Sequence, residues 1–299
     1  MSRDVVVLSA ARSAIGGYGG SLSSVEPCEL AGMVMKEAVA RSGADPSKIN
    51  YVTVGNTMPT DNRYAYVARV ASIQAGLPMD SVAMAVNRLC SSGLQAIVTT
   101  AQGIMLNDYD YGVGGGVEVM SRAMYGATAM RTGARMGDTK MIDLMVSVLT
   151  DPFGVGHMGI TAENLAEKWK ITREDQDQFA IDSYTKAANA WGAGRFNNEI
   201  VSVAVPQRKG DPIIISEDEE YKKANFDKMG SLKPAFIKEG TITAANASKI
   251  NDGAAAVLVA SDEALKKYNL KPMARIVSSA IAGVEPRIMG IGPVYASEK

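Results

Sequence analysis

Over its first 120 residues the chain alternates β-branched runs with amphipathic helical stretches, and no other feature constrains the fold as much. Asp4–Ala10 (DVVVLSA), Tyr51–Gly55 (YVTVG), Val82–Val86 (VAMAV) and a run opening at Tyr111–Gly114 are expected to be strands. Between them Cys28–Ser42 reads as a helix, with Pro27 in its first turn, Gly43 at its end, and Leu30, Ala31, Val34 and Ala38 on one apolar stripe. Ala65–Ala75, stopped by Gly76, and Ser91–Leu106 read as the next two helices. This spacing predicts parallel βαβ units with helices on both faces of a sheet, an α/β fold.

The alternation breaks after residue 120. Met120–His157 is rich in Gly and Met and carries Arg122, Arg131, Arg135 and Lys140 without a clean period. One helix is expected to start near Thr161, and another to run from Thr172 to Trp191 with Gly192 as its stop. The strand pattern resumes at Ala254–Ala260, followed by a short helix Asp262–Tyr268 and a strand over Ala274–Ala282. Residues 121–249 therefore read as an insertion into a sheet domain built from 1–120 plus 250–270. Residues 271–299 read as the opening of a further α/β domain that is only begun.

Composition narrows the function classes. With 31 basic and 32 acidic residues the 299-residue chain carries a net charge of −1. That leaves no electrostatic footprint for nucleic acid or an anionic membrane surface. No apolar run reaches the roughly 18 residues of a membrane span. The N-terminal run is too brief for a secretory signal and Arg12 follows it. Two cysteines, Cys28 and Cys90, do not form a disulfide framework in a chain this long, so a reducing, cytoplasmic setting is expected. A single histidine, His157, excludes most metal sites.

Cys90 is the candidate nucleophile. It falls between the end of a strand and the start of a helix, where N–H groups and the helix dipole favour a negatively charged sulfur. Open α/β sheets also bind ligands at this edge. Arg88 is the nearest charge. The competing reading is a buried, inert thiol. Cys28 also begins a helix, but Glu26 and Glu29 flank it and oppose a thiolate, so it reads as a packed thiol. The run Gly112-Val113-Gly114-Gly115-Gly116 lacks the spacing of a nucleotide-binding loop and points to close backbone packing. The acidic run Glu217–Glu220 reads as a solvated face.

Several segments, in order along the whole chain, resemble the thiolase family, in its acetyl-CoA acetyltransferase and β-ketothiolase branch. They are Ala10-Ala11-Arg12-Ser13-Ala14-Ile15-Gly16 with Gly19-Gly20-Ser21-Leu22, then Asn87-Arg88-Leu89-Cys90 with Ser92-Gly93-Leu94-Gln95-Ala96. Gly115 to Arg122 (GGVEVMSR) and His157-Met158-Gly159 with Thr161-Ala162-Glu163-Asn164 follow. Leu232 to Phe236 (LKPAF), Asn246-Ala247-Ser248 with Asn251 to Ala255 (NDGAA), and Met289 to Val294 (MGIGPV) complete the set. The resemblance implies a thiolase-like fold: paired α/β domains plus a loop domain that binds coenzyme A. It implies that Cys90 attacks an acyl thioester and holds the acyl group covalently, its own N–H helping to stabilise the oxyanion. Condensation with acetyl-CoA, or its reverse, would follow. Coenzyme A contacts would fall on Leu149, His157, Met158, Ala235, Phe236, Ala244, Ser248, Ile250 and Met289. Lys222, Lys223 and Lys228 are looser candidates for the phosphate and adenine end. Coenzyme A thioesters are thus the expected substrates, with no tightly bound cofactor and no metal. The Met120–Lys140 stretch resembles a tetramer-forming loop, so a homo-dimer or tetramer is expected.

The departures matter. Ser91 stands where relatives usually carry Gly, and Val117 and Val119 where Ala and Ser are usual. The family's Asn-Glu-Ala-Phe, Gly-His-Pro and Cys-x-Gly-Gly-Gly motifs would fall past Lys299. They supply an oxyanion-site Asn, the His that activates the nucleophile and the second Cys. His157 maps to a coenzyme A contact and Cys28 lies at the wrong position, so neither replaces them. Three readings stay open: a subunit completed by a second polypeptide, part of a longer single chain, or a non-catalytic acyl-CoA-binding or scaffold protein of the same descent.

Overall fold

The computed structural model describes residues 3–299, which divide into two compact units. The first comprises residues up to Tyr125, Asn197–Asp218 and Ile250–Val277; the second holds Gly126–Phe196, Glu219–Lys249 and Ser278–Lys299.

The first unit is a sheet with helices on both faces. Its strands are β1 (Val5–Ser13), β2 (Tyr51–Gly55), β3 (Val82–Val86), β4 (Tyr111–Val119), β5 (Asn251–Ser261) and β6 (Ala274–Arg275), in the order β6-β1-β5-β4-β2-β3. β2 pairs in parallel with β3 and with β4, as the βαβ spacing predicts. β5 instead runs antiparallel between β4 and β1, so the sheet is mixed rather than parallel. The reason is connectivity. β5 enters the sheet after the long insertion, not through a crossover helix, so nothing forces it to run parallel.

Helix α1 (Pro27–Ser42) ends on Gly43, whose φ of 71° is a left-handed cap that glycine adopts without strain. Its predicted stripe, Leu30, Ala31, Val34 and Ala38, is buried in the main core together with α2 (Val67–Gln74), Leu22, Val52 and Leu258. Each buried Leu or Val side chain among them contributes about 1.5–3 kcal/mol relative to exposure. Helix α3 (Ser92–Met105) covers the other face, where Ala101 and Ile104 pack on Val5 and Val259 in a much smaller cluster.

The structure differs from the sequence pattern in three places. First, the region 121–249 divides between the two units. Asn197–Asp218 belongs to the sheet unit, where Ile200–Val201 pairs in parallel with the end of β1 and Val203 and Val205 are buried in its core. Arg12 anchors that segment through Glu199 and Asp218 at 2.6 and 2.8 Å. Second, the strand expected over Ala274–Ala282 shrinks to Ala274–Arg275, paired with β1 in this same sheet. Running antiparallel, it passes β1's first residue once the Ile276 N–H has reached the Val5 carbonyl, and the ladder has nowhere to continue. Third, residues 271–299 do not form a segment apart, because 271–277 pack with the sheet unit and 278–299 with the second unit.

The second unit is built on α4 (Leu144–Val148), α5 (Met158–Trp169) and α6 (Arg173–Gly192). Thr172 and Asp175 close a capping box at the start of α6. Glu163 on α5 accepts from the Thr241 and Ile242 N–H groups at about 2.9 Å, and Arg173 donates to the Met229 and Leu232 carbonyls. These bonds fix the irregular 229–242 stretch on the two helices.

Cys28 is only 1% exposed, and burial, reinforced by Asp61 and Glu29, pushes its thiol up to about 11 from 9.0. The unfolded chain would ionise this thiol first, so its contribution to stability is complete below pH 9 and is lost as pH rises toward 11. Replacing Cys28 with Ala should flatten the pH dependence of the urea midpoint over this window. A slope identical to that of the parent would exclude Cys28 as its source.

Candidate active site

The site is set by how closely α3 lies on the sheet. Gly112, Gly114 and Gly116 alternate along β4 and so share the face that α3 covers. A Cβ on Gly114 would sit 2.6 Å from Ile97 Cα and 2.9 Å from Ile97 N, both backbone atoms that cannot swing away. A Cβ on Gly116 would come within 3.2 Å of Gly93 Cα, and one on Gly55 would strike the Ser92 backbone. The glycine run is thus a smooth groove for α3, in keeping with close packing and not with phosphate binding. At the far end Tyr109 lies against Gly103, donates to the Thr100 carbonyl at 3.0 Å and stacks on Tyr51.

At the near end β3 passes into α3 through a tight turn. Leu89 has a φ of 47°, in the left-handed region that a branched aliphatic residue rarely occupies. Side-chain bonds hold it there. Asn87 Oδ1 accepts from the Leu89 N–H at 2.9 Å, and Ser92 Oγ donates to the Leu89 carbonyl at 2.6 Å while accepting from the Arg88 N–H at 2.8 Å. The Ser91 and Ser92 N–H groups close on the Arg88 and Leu89 carbonyls. Cys90 follows directly and is exposed, whereas Cys28 lies in the core. The thiol expected to be reactive is thus accessible, and the control thiol is not.

The turn rests on a layer that sequence reading missed. Glu118, half-buried at the end of β4, accepts from the Thr57 N–H at 2.8 Å, the Met58 N–H at 3.2 Å and Asn56 Nδ2 at 3.0 Å. Asn87 Nδ2 in turn donates to the Thr57 carbonyl at 3.2 Å. Burial raises the Glu118 carboxyl above its ordinary range, against the lowering effect of the N–H groups of Thr57 and Met58. The available signal was one carboxylate in a strand otherwise made of Gly, Val and Tyr.

In the second unit several coenzyme A candidates come together. His157 caps α5, its Nδ1 accepting from the Gly159 N–H at 3.1 Å, and its ring stacks on Phe236 at 4.9 Å. The Phe236 ring lies flat over Gly159, with no room for a Cβ between them. Leu149 accepts from the Met158 N–H at 2.7 Å, and the Ala235 N–H donates to Ile242. Leu149, His157, Met158, Ala235 and Phe236 therefore form one cluster. Ala244 receives the Lys249 ammonium on its carbonyl, and Ser248 is exposed four residues further along. Met289 is exposed on the Pro286–Ile291 turn, and Ile250 belongs to the sheet unit. Lys222 reaches over the Tyr221 ring and Lys228 is exposed. Lys223 is already paired with Glu219 and Glu220, at 3.5 and 2.8 Å, which weakens it as a phosphate ligand. These carboxylates belong to the run expected to be a plain solvated face. Among the described residues no group of three or more His, Cys, Asp or Glu side chains is placed to hold a metal ion.

Known proteins match this arrangement. The family model for the thiolase N-terminal domain matches residues 5–263. The β-ketothiolase BktB of Cupriavidus necator is 47% identical over 299 residues, covering all of this chain and 76% of that protein. The crystal structure of the Bacillus anthracis acetyl-CoA acetyltransferase superposes with a TM-score of 0.95 at 41% identity, covering 99% of this chain and 75% of that one. Human mitochondrial 3-ketoacyl-CoA thiolase, solved in complex with CoA, gives a TM-score of 0.94 at 38% identity, covering 99% and 74%. With a family match over most of its length and relatives this similar, the chain belongs to the thiolase family and is an enzyme of its acyl-transferring, acetyl-CoA acetyltransferase type.

Proposed function

We propose that the chain runs the exchange of an acyl-CoA and acetyl-CoA with a 3-oxoacyl-CoA and CoA, through an acyl group carried on Cys90. The observation that carries this reading is an exposed thiol on a side-chain-braced turn at the start of α3. The Cys90 thiolate adds to the thioester carbonyl, the C–S bond to coenzyme A breaks, and CoA leaves as the thiolate and takes up a proton. The Cys90 N–H donates to the transient oxyanion. The acetyl-CoA carbanion then attacks the acyl group and releases Cys90. His157, Met158, Leu149 and Phe236 hold the coenzyme A chain, with Ala235, Ala244, Ser248, Ile250 and Met289 along its course and Lys222 and Lys228 toward its phosphates.

Forming the carbanion needs a base, and His157 is a poor candidate because its Nδ1 caps α5. We infer that the activating His, the oxyanion Asn and the second Cys come from outside residues 1–299, on a partner polypeptide or on a continuation of the chain. We also propose a cytoplasmic homo-dimer or tetramer, a reducing setting being the one in which free cysteines such as Cys28 and Cys90 persist.

Intact mass spectrometry after addition of acetoacetyl-CoA tests the nucleophile. Cys90→Ser should abolish the acyl adduct and Cys28→Ser should leave it nearly unchanged. Equal labelling of both variants would refute the assignment, and a parent that binds CoA without any adduct would favour a non-catalytic acyl-CoA-binding role. For the binding surface, Phe236→Ala should weaken CoA about tenfold by calorimetry, the equivalent of about 1.4 kcal/mol. Lys223→Ala should change affinity by less than about threefold, because its charge is already countered. The reverse ranking would relocate the coenzyme A contacts.

A further inference from the structure

We propose that Glu118 is a positioning residue for the Cys90 turn, an inference that rests on Cys90 being the nucleophile. Its carboxylate collects three N–H donors from the 56–58 loop, and that loop presents the Thr57 carbonyl to Asn87. Asn87 spans the gap: its Nδ2 is tied to Thr57 and its Oδ1 to the Leu89 N–H. The Thr57 hydroxyl also approaches the Leu89 carbonyl at 3.5 Å. Three strand ends, those of β2, β3 and β4, are thereby joined around one carboxylate.

The chemistry calls for a carboxylate at this point. Both oxygens are used, Oε1 by Asn56 and Met58 and Oε2 by Thr57. A glutamine keeps one acceptor oxygen and turns an NH2 group against an N–H that needs an acceptor. A slack 56–58 loop would loosen Asn87, and Leu89 would lose the bond that keeps its backbone left-handed. Glu118 touches neither Cys90 nor any reacting atom. It acts through Thr57 and Asn87.

The test compares Glu118→Gln, Asn87→Ala and their double variant with the parent, by hydrogen exchange of the 86–92 peptide and by acyl-adduct formation at Cys90 from acetoacetyl-CoA. Val34→Ala, a core truncation on α1, controls for general loss of stability. Each single variant should speed exchange in 86–92, and slow adduct formation, by about tenfold or more. The double variant should be no worse than the more affected single one, because both act along one chain of bonds. Val34→Ala should affect neither readout beyond its lowered melting temperature. Parental exchange in Glu118→Gln, full additivity in the double variant, or the same acceleration in Val34→Ala would overturn the proposal. If the parent forms no adduct, the nucleophile assignment fails, and exchange alone still decides whether Glu118 holds the turn. Should Glu118→Gln not fold, Glu118→Asp, which keeps the charge but retracts it by one methylene, should give a smaller acceleration of the same sign; none would overturn the role.

Discussion

Everything at the candidate site depends on how near α3 can come to the sheet. Backbone lies almost directly on backbone where Gly93 faces Gly116, Ile97 faces Gly114 and Ser92 faces Gly55. Repulsion at these distances rises steeply, so the glycine groove sets the depth of α3 within a few tenths of an ångström. The turn that carries Cys90 inherits that height above the strand ends. The rest of the unit serves this placement: β5 and β1 brace β4 from the side, and α1 and α2 supply the bulk of the buried apolar surface on the opposite face.

The two faces of the sheet are therefore unequal. One is an aliphatic core of ordinary kind, with the buried Cys28 thiol as part of its filling. The other gives up side-chain volume on β4 to admit a helix closely, leaving only a small cluster around Val5, Ala101, Ile104 and Val259. Precision is gained on the face that carries the candidate site, and cohesion comes from the other. The second unit has a different construction. Charged groups, the buried Glu163 and the half-buried Arg173, replace regular strands in fixing its long irregular stretches to α5 and α6.

Local signals made much of this legible. Tyr51–Gly55, Val82–Val86 and Asp262–Tyr268 fall where the pattern puts them, because β-branched runs and Gly, Pro and Asp punctuation act within a few residues. Gly43 stops α1 for the same local reason. What the sequence hid is non-local. The direction of β5 depends on where the chain re-enters the sheet, and the length of β6 depends on where β1 begins. The Glu118 layer joins residues 30 to 62 positions apart, and no short-range pattern marks such a set. The pairing of Lys223 with Glu219 and Glu220 is of the same kind, since the sequence shows the charges but not how closely they fold together.

The groove has a property that follows from its smoothness. A helix seated on side chains is held by interlocking ridges, which resist motion along its axis as well as toward its support. α3 sits largely on glycine backbone, which fixes depth; along its length the Thr100 hydroxyl bonded to Thr53 at 3.0 Å and the packing of Ala101 and Ile104 on Val5 and Val259 supply grip against axial slip. The two ends add to it. The braced turn from Asn87 to Ser92 holds the start, and Tyr109, wedged against Gly103 and bonded to the Thr100 carbonyl, is the stop at the other end. Tyr109 lies a full helix length from Cys90, yet it helps to decide where along the groove the thiol comes to rest.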